Sequence, residues 1–141
     1  MTRQGMHVSA VMTRGAHTIS RDQSLESAHH VMDKFHVRHL PVMDHGKVAG
    51  MVSEHDLYLL ETLRETNAFD VRVENAMSAD PYTVSPNDPL YEVCDEMARN
   101  RYGAAIVVEH GRVVGIFTAV DALRVLSDML REPTPDPATR Q

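Results

Sequence analysis

The sequence contains one cysteine, Cys94, and no tryptophan among its 141 residues. A single cysteine excludes an internal disulfide framework and a zinc site built from a cysteine cluster, and it suits a reducing compartment. The longest uninterrupted apolar run is five residues, Ala104 to Val108, far short of the roughly 20 that a membrane-spanning helix needs. The N-terminus leads into no apolar stretch, so no signal peptide is predicted. We therefore expect a cytoplasmic protein with no membrane insertion.

An excess of positive charge is also missing. Lysine and arginine number 14 against 20 aspartates and glutamates, which gives a net charge of −6 at pH 7. An acidic chain is poorly suited to a phosphate backbone, so no nucleic-acid partner is expected. No catalytic triad, phosphate-binding glycine loop or pair of catalytic carboxylates can be assembled from the sequence, so no enzymatic activity is expected either.

The chain repeats itself at an offset of 65 residues. In this register 12 of the 54 positions from Val8 to Glu61 are identical, and they include His45-Gly46 with His110-Gly111. One register that persists through helix-like, strand-like and turn-like stretches indicates two copies of one supersecondary unit. We predict domains at residues 8–64 and 73–130, a linker at 65–72, and a disordered tail at 131–141, where three prolines fall.

Each copy shows the same order of predicted elements, β-α-β-β-α, which makes an α/β (α+β) fold. A short extended piece (17–20 and 82–85) precedes a helix, and a hairpin with its turn at His45-Gly46 or His110-Gly111 precedes a second helix. Asp88 is the expected N-cap of the third helix, with Pro89 as its first residue. Neither copy would bury a good core alone, so the two are expected to pack face to face.

These residues resemble the cystathionine β-synthase (CBS) domain family. The resemblance lies in Arg38-His39-Leu40-Pro41-Val42 and in the paired segments Gly50–Asp56 and Gly115–Asp121. Two tandem copies look like a CBS pair, or Bateman module, in which a pseudo-twofold axis relates the repeats. The resemblance implies a regulatory module without cofactors that binds AMP, ADP, ATP or S-adenosylmethionine in clefts between the repeats. It also implies a homodimer that signals by conformational change to a regulated protein in trans.

Two clefts follow from this resemblance, residue by residue. Cleft A is expected to combine Thr18, Ile19, Arg38, His39, Pro41, Ile116, Thr118 and Asp121. Cleft B is expected to combine Met51, Ser53, Asp56, Thr83, Val84, Gly103 and Ala104. Arg38 and His39 would give cleft A two basic side chains for phosphates. Cleft B is expected to have no cation, and so to hold an uncharged adenosyl group, to bind weakly or to stay empty.

Alternatives remain open for each of these features. Ser53-x-x-Asp56 and Thr118-x-x-Asp121 place a carboxylate that could accept both ribose hydroxyls, but the same pattern is a capping box that only starts a helix. Arg38 could instead form a surface ion pair with Asp44 or with another acidic residue. For the whole protein, the alternative function is a ligand-independent interaction or dimerisation module with vestigial clefts.

Two further features are expected to carry no chemistry. His36-x-x-His39, with His29 nearby, has a metal-like spacing, but His36 falls where a helix should end, so we predict no metal site. Cys94 aligns with His29 on an amphipathic helix, where it is expected to be a buried inert thiol or to face a partner.

Overall fold

The computed structural model describes residues 5–64 and 67–131. The predicted tail beyond 131 and residues 65–66 of the predicted linker lie outside the described residues. The elements follow in this order: β1 (Thr13–Arg14), β2 (Ile19–Ser20), α1 (Leu25–Phe35), β3 (His39–Asp44), β4 (Lys47–Ser53), α2 (Glu54–Arg64), β5 (Thr83–Val84), α3 (Leu90–Asn100), β6 (Ala104–Glu109), β7 (Arg112–Thr118) and α4 (Ala119–Leu130). Short 3₁₀ helices, Val8–Ala10 and Val73–Asn75, precede β1 and β5.

The strands form two sheets, one for each repeat. The first has the order β2-β3-β4 and the second has the order β1-β7-β6-β5. In both sheets the strand before the helix pairs parallel with the first hairpin strand, and the hairpin itself is antiparallel. The predicted α/β fold with two β-α-β-β-α repeats is therefore confirmed.

The local signals for turns and helix ends explain most boundaries. His45 and Gly46 both have positive φ angles, 50° and 81°, as do His110 and Gly111 at 52° and 76°. Two such residues in a row make the hairpin turn that matches the twist of the strands. Both hairpin predictions are confirmed.

The sequence predicts the end of α1 correctly but not the start of α3. His36 ends α1 in the left-handed conformation, as expected from its position, and its repeat equivalent Arg101 ends α3 in the same way. The predicted N-cap at Asp88 is wrong. Helix α3 begins at Leu90, with Pro89 at the N-cap and no side-chain cap. The Asp88 carboxylate instead accepts the Ser85 N–H at 2.9 Å, which closes the turn before the helix.

Each repeat has an apolar core between its sheet and its helices. The first core contains Ile19, Leu25, Ala28, Met32, Leu40, Val42, Val52, Leu57 and Val73. The second contains Val8, Met12, Val84, Leu90, Val93, Met97, Ala105, Val107 and Phe117. Along β3 and β6 every second side chain belongs to its own repeat's core, namely Leu40 and Val42 in β3 and Ala105 and Val107 in β6.

The repeats exchange the segments that lead into them. Val73 begins the second repeat in sequence but is fully buried in the first core, and its N–H donates to the Gln23 carbonyl at 2.8 Å. Val8 is likewise fully buried in the second core, and its N–H donates to the Asp88 carbonyl at 3.0 Å. Each core is therefore completed by chain from the other repeat.

Glycine makes room for this exchange. A Cβ atom on Gly50 would collide with the Ser78 carbonyl oxygen and lie 2.8 Å from the Met77 sulfur. A Cβ on Gly115 would lie 2.8 Å from the Thr13 carbonyl oxygen. The two lead-in segments pass directly over these glycines, which explains why this position is glycine in both repeats.

The second face of each sheet is turned towards the other repeat. Strands β4 and β7 contact each other. Ala104, Ile106 and Ile116 are buried although they belong to neither core. The repeats thus pack sheet against sheet, and the residues at the strand ends lie at the edges of this interface. No helix within the described ranges is long and apolar enough to cross a membrane.

Candidate functional site

The two Ser/Thr-x-x-Asp segments both form complete capping boxes. The Ser53 N–H donates to Asp56 Oδ2 at 2.9 Å, and the Asp56 N–H donates to Ser53 Oγ at 3.1 Å. Thr118 and Asp121 make the same pair of bonds at 2.9 and 3.2 Å. The capping interpretation is confirmed, and it uses only Oδ2 of each carboxylate. The second oxygen of each carboxylate decides whether a ligand role is also open.

A cavity of about 230 Å³ lies at cleft B, between the repeats. Its lining residues come from β3, β4 and α2 of the first repeat and, in the second, from the chain before β5 and from the chain that leads into the start of β6. They are His39, Met51, Ser53, Asp56, Ser78, Asp80, Pro81, Tyr82, Arg101, Tyr102, Gly103 and Ala104.

Asp56 presents an unused acceptor at this cavity. Oδ2 belongs to the helix cap, and no described residue donates a hydrogen bond to Oδ1. The side chain is partly exposed. A carboxylate fixed by its own helix and open on one side can accept a hydroxyl from a bound molecule without rearrangement.

Two tyrosines form the aromatic part of the lining. The rings of Tyr82 and Tyr102 stack with their centroids 5.1 Å apart and an angle of 25° between their planes. Partial burial raises the pKa of Tyr82, so its hydroxyl remains a neutral donor at physiological pH. The pair provides a flat apolar surface with polar edges, which suits a heteroaromatic ring.

The prediction that cleft B has no cation is wrong, because Arg101 lines the cavity. Arg101 is the left-handed residue that ends α3, with a φ of 58°. The reversal of the chain there directs residues 101–103 towards the first repeat. In the repeat alignment Gly103 is the equivalent of Arg38, so the sequence analysis looked for a cation at position 103. The cation that lines the cavity lies two residues earlier, at Arg101.

The structure also moves the ring of His39 from cleft A to cleft B. The ring lies against Gly103: a Cβ on Gly103 would be 2.8 Å from His39 Nε2. Successive residues of extended chain point to opposite sides, so Arg38 and His39 do not share one wall. Burial lowers the pKa of His39, the nearby Asp56 carboxylate opposes this, and Arg38 adds to it. The ring is therefore neutral at pH 7.

Cleft A differs from cleft B at its carboxylate. The Thr13 hydroxyl lies 3.4 Å from each oxygen of Asp121, which is 9% exposed. Ser78, the repeat equivalent of Thr13, makes no such bond to Asp56. Of the other predicted residues, Ile19 and Pro41 are buried and Ile116 pairs with Thr13 across β1 and β7.

Arg38 and Thr18 are exposed on the first repeat. The alternative ion pair between Arg38 and Asp44 does not form. Asp44 instead contacts Arg21 (Nη1–Oδ2, 3.2 Å) and His45 (Nδ1–Oδ1, 2.6 Å). The Arg38 guanidinium is thus not committed to that carboxylate.

Of the predicted cleft B residues, the structure brings Met51, Ser53, Asp56, Gly103 and Ala104 together around the cavity. Thr83 and Val84 lie outside the lining, since Val84 points into the second core. The residues that the sequence analysis missed are Ser78, Asp80, Pro81, Tyr82, Arg101 and Tyr102. One available signal was that the chain has only four tyrosines, and two of them flank the second repeat's first helix.

The structure locates the His36-x-x-His39 pair and Cys94, which were expected to carry no chemistry. His36 and His39 lie on different elements, after α1 and within β3. Within residues 5–64 and 67–131, no group of three or more His, Cys, Asp or Glu side chains is placed to hold a metal ion. Cys94 is partly buried on α3, and burial raises the pKa of its thiol, which disfavours the reactive thiolate.

Solved structures share this fold. A protein of Vibrio cholerae described as AcuB, for acetoin utilization, is 31% identical with a TM-score of 0.78, over 91% of this chain and 98% of that one. The CBS domain pair of MJ0100, in complex with 5′-methylthioadenosine and S-adenosyl-L-methionine, is 24% identical with a TM-score of 0.80, over 88% and 98% of the two chains. CBSX2 in complex with AMP is 24% identical with a TM-score of 0.74, over 90% and 100%.

Curated relatives fall into two groups by length. CBS domain-containing protein YhcV of Bacillus subtilis is 26% identical over 114 residues, which cover 81% of each chain. In contrast, the chain spans between 23% and 38% of the length of five other relatives, including MJ1232 of Methanocaldococcus jannaschii at 25% identity.

The family model for the CBS domain matches residues 8–60 and 72–128, which together make up most of the chain. YhcV, which is little longer than such a pair of domains, is named as a CBS domain-containing protein and not as an enzyme. The exchanged lead-in segments, the two sheets and the cleft between them all lie within the matched residues. The chain belongs to the CBS domain family and carries two tandem CBS domains.

Proposed function

We propose that this chain is a regulatory module that binds an adenosine-containing ligand in cleft B and signals its occupancy to another protein. MJ0100 with methylthioadenosine and S-adenosylmethionine, and CBSX2 with AMP, support this ligand class. The single observation that carries the proposal is the free Oδ1 of Asp56 at a cavity between two repeats. A ligand held by both repeats at once changes their relative packing, which is how its occupancy reaches a partner.

The size of the cavity favours a nucleoside over a polyphosphate. About 230 Å³ lies just below the range of about 300–1,000 Å³ usual for small-molecule sites. We expect the adenine to lie beside Tyr82 and Tyr102 and the ribose hydroxyls to donate to Asp56 Oδ1. A 5′ substituent would then extend towards Arg101 and solvent.

The charges at the cavity favour the same ligands. Arg101 is the single guanidinium in the lining, against the carboxylates of Asp56 and Asp80, and His39 is neutral at pH 7. Arg101 can offset part of the negative charge of a monophosphate, whereas a triphosphate would add more negative charge beside the same two carboxylates. We therefore expect methylthioadenosine, S-adenosylmethionine and AMP to bind more tightly than ATP.

Isothermal titration calorimetry with these four ligands tests the proposal, with Asp56→Asn as the variant. An asparagine oxygen can still accept the Ser53 N–H, so the helix cap survives while the charge is lost. Hydrogen bonds to charged groups contribute about 1.5–3 kcal/mol, so the affinity should fall about 10- to 100-fold. Asp121→Asn, the matched substitution in cleft A, should leave the affinity unchanged.

The outcomes separate the alternatives. A loss in Asp121→Asn with none in Asp56→Asn would place the ligand in cleft A instead. No binding of any of the four ligands by the folded protein would refute the sensor proposal. It would favour the second candidate, a ligand-independent interaction module.

That second candidate has an observation of its own, and it also bears on the predicted homodimer. Leu59 and Leu63 on α2, and Leu123, Leu126 and Leu130 on α4, are exposed, with Leu63 at 73% and Leu130 at 71%. Apolar helix faces of this kind mark contact surfaces. We propose that a second copy of this chain covers them. Sedimentation should show a dimer that Leu123→Glu weakens, whereas a wild-type monomer at high concentration would exclude the dimer.

A further inference from the structure

We infer that His39 is a specificity-determining residue of cleft B, and that its protonation makes the cleft select anionic over uncharged adenosine ligands below neutral pH. The inference deepens the proposed function and rests on it. It concerns the chemistry of one side chain that the repeat does not duplicate, since the equivalent of His39 is Ala104. Cleft A therefore has no counterpart of this imidazole contributed by β6.

The geometry places this ring in the wall of the cavity. His39 is the first residue of β3 and pairs with Ser53, the last residue of β4, which also caps α2. Its ring lies against Gly103, where the absence of a side chain leaves room for the imidazole. The ring thus stands between the capped carboxylate of Asp56 and the backbone before β6, at a cavity to which both repeats contribute.

The ionisable groups around the ring are few and can be named. Asp56 faces it from α2, Arg38 directly precedes it in the chain, and Arg101 and Asp80 share the cavity from the second repeat. Tyr82 and Tyr102 complete the ionisable lining, and partial burial raises the pKa of Tyr82. Burial disfavours the charged imidazole in the free protein, with Asp56 as the opposing influence.

A ligand changes this balance according to its own charge. An anion beside His39 and Arg101 stabilises the imidazolium, so binding takes up a proton and the affinity rises as the pH falls. An uncharged nucleoside that occupies Asp56 Oδ1 offers the imidazolium nothing and displaces water from it. Binding of such a ligand should therefore be independent of pH or weaken in acid.

The test compares two ligands whose charge is fixed. Adenosine 5′-sulfate is a monoanion and 5′-methylthioadenosine is uncharged between about pH 5 and pH 8, the range in which histidine titrates. The affinity ratio of sulfate to methylthioadenosine, measured by calorimetry, should rise about tenfold from pH 8 to pH 5, as expected for a pKa change of about one unit on binding. His39→Gln should show a ratio that does not vary with pH.

Two further variants make the result specific. Gly103→Ala places a methyl group against His39 Nε2 and displaces the ring, so it should reduce the pH dependence without removing an ionisable group. His30→Gln changes an exposed histidine on α1 and should retain the full effect. Folding of each variant is checked by its thermal transition.

The outcomes separate this inference from the proposal beneath it. If neither ligand binds the wild-type protein at any pH, the proposed function fails and the inference fails with it. If both ligands bind but their ratio is constant, or His39→Gln keeps the wild-type pH dependence, the proposed function stands and the role of His39 is refuted.

Discussion

Replacing Val73 with alanine tests whether the first repeat depends on chain from the second. Val73 is fully buried in the first core although it lies within the second CBS match, residues 72–128. The substitution removes two carbons, at about 0.8 kcal/mol each, and leaves a cavity that the exchanged segment fills poorly. The expected loss is about 2–3 kcal/mol in the free energy of unfolding. Val8→Ala should cost a similar amount through the second core.

Cooperativity is the sharper part of this prediction. Each core contains residues from the other repeat's lead-in segment, so neither repeat can unfold while the other stays intact. Both variants should show a single transition in calorimetry and urea unfolding, displaced by about 6–12 °C in Tm. Val120→Ala, at an exposed position on α4, is the control and should change stability by less than about 0.5 kcal/mol.

Two results would refute the reasoning. One is a biphasic transition in which Val73→Ala moves only one phase, since it would show that the repeats are independent domains. The other is a stable, cooperatively folded fragment of residues 73–130 alone, because that fragment lacks Val8 and Met12 of its own core.

Two further predictions concern packing and pH. Gly50→Ala should destabilise the protein by more than about 2 kcal/mol in urea unfolding, because its Cβ would meet the Ser78 backbone, which cannot move aside as a side chain can; a loss below about 0.5 kcal/mol would contradict the close approach. Burial lowers the pKa of His39 in the folded state, so the unfolded chain binds the proton first as the pH falls. The contribution of the neutral His39 ring to stability is therefore present above its ordinary pKa of 6.5 and is lost as the pH falls towards the pKa of the folded state. Unfolding curves of His39→Gln should therefore lose stability less steeply than wild type below pH 6.5, and parallel curves would argue that the ring is not desolvated.

Features set by nearby residues were predictable from the sequence. The hairpin turns needed only His-Gly pairs between apolar strands, and the end of α1 needed only the break in helical spacing at His36. The capping boxes could be predicted from the four-residue pattern Ser/Thr-x-x-Asp. These elements are determined within a few residues, so the order β-α-β-β-α could be predicted in both repeats.

Features that depend on how the two repeats pack against each other could not be predicted in the same way. The 65-residue offset shows that Val8 and Val73 are equivalent, but both possible cores are equally apolar, so it cannot show which one each valine completes. The positions of His39 and Arg101 depend on the side to which β3 and the end of α3 turn. That side is decided by sheet-on-sheet packing, for which the sequence has no periodic signal.

The residues that are identical in the two repeats have structural roles, and the residues that differ include those that line the clefts. Gly50 and Gly115 are identical because a lead-in segment of the same chain crosses each of them. Asp56 and Asp121 are identical because each caps a helix. None of these roles requires a ligand. The clefts differ instead at repeat positions whose side chains are not identical, such as 39 with 104 and 13 with 78. At the latter pair, the Thr13 hydroxyl contacts Asp121 in cleft A, while Asp56 Oδ1 stays open in cleft B. Because the scaffold is shared and the lining is not, the two clefts should differ in the ligands that they bind, and occupancy of one does not imply occupancy of the other.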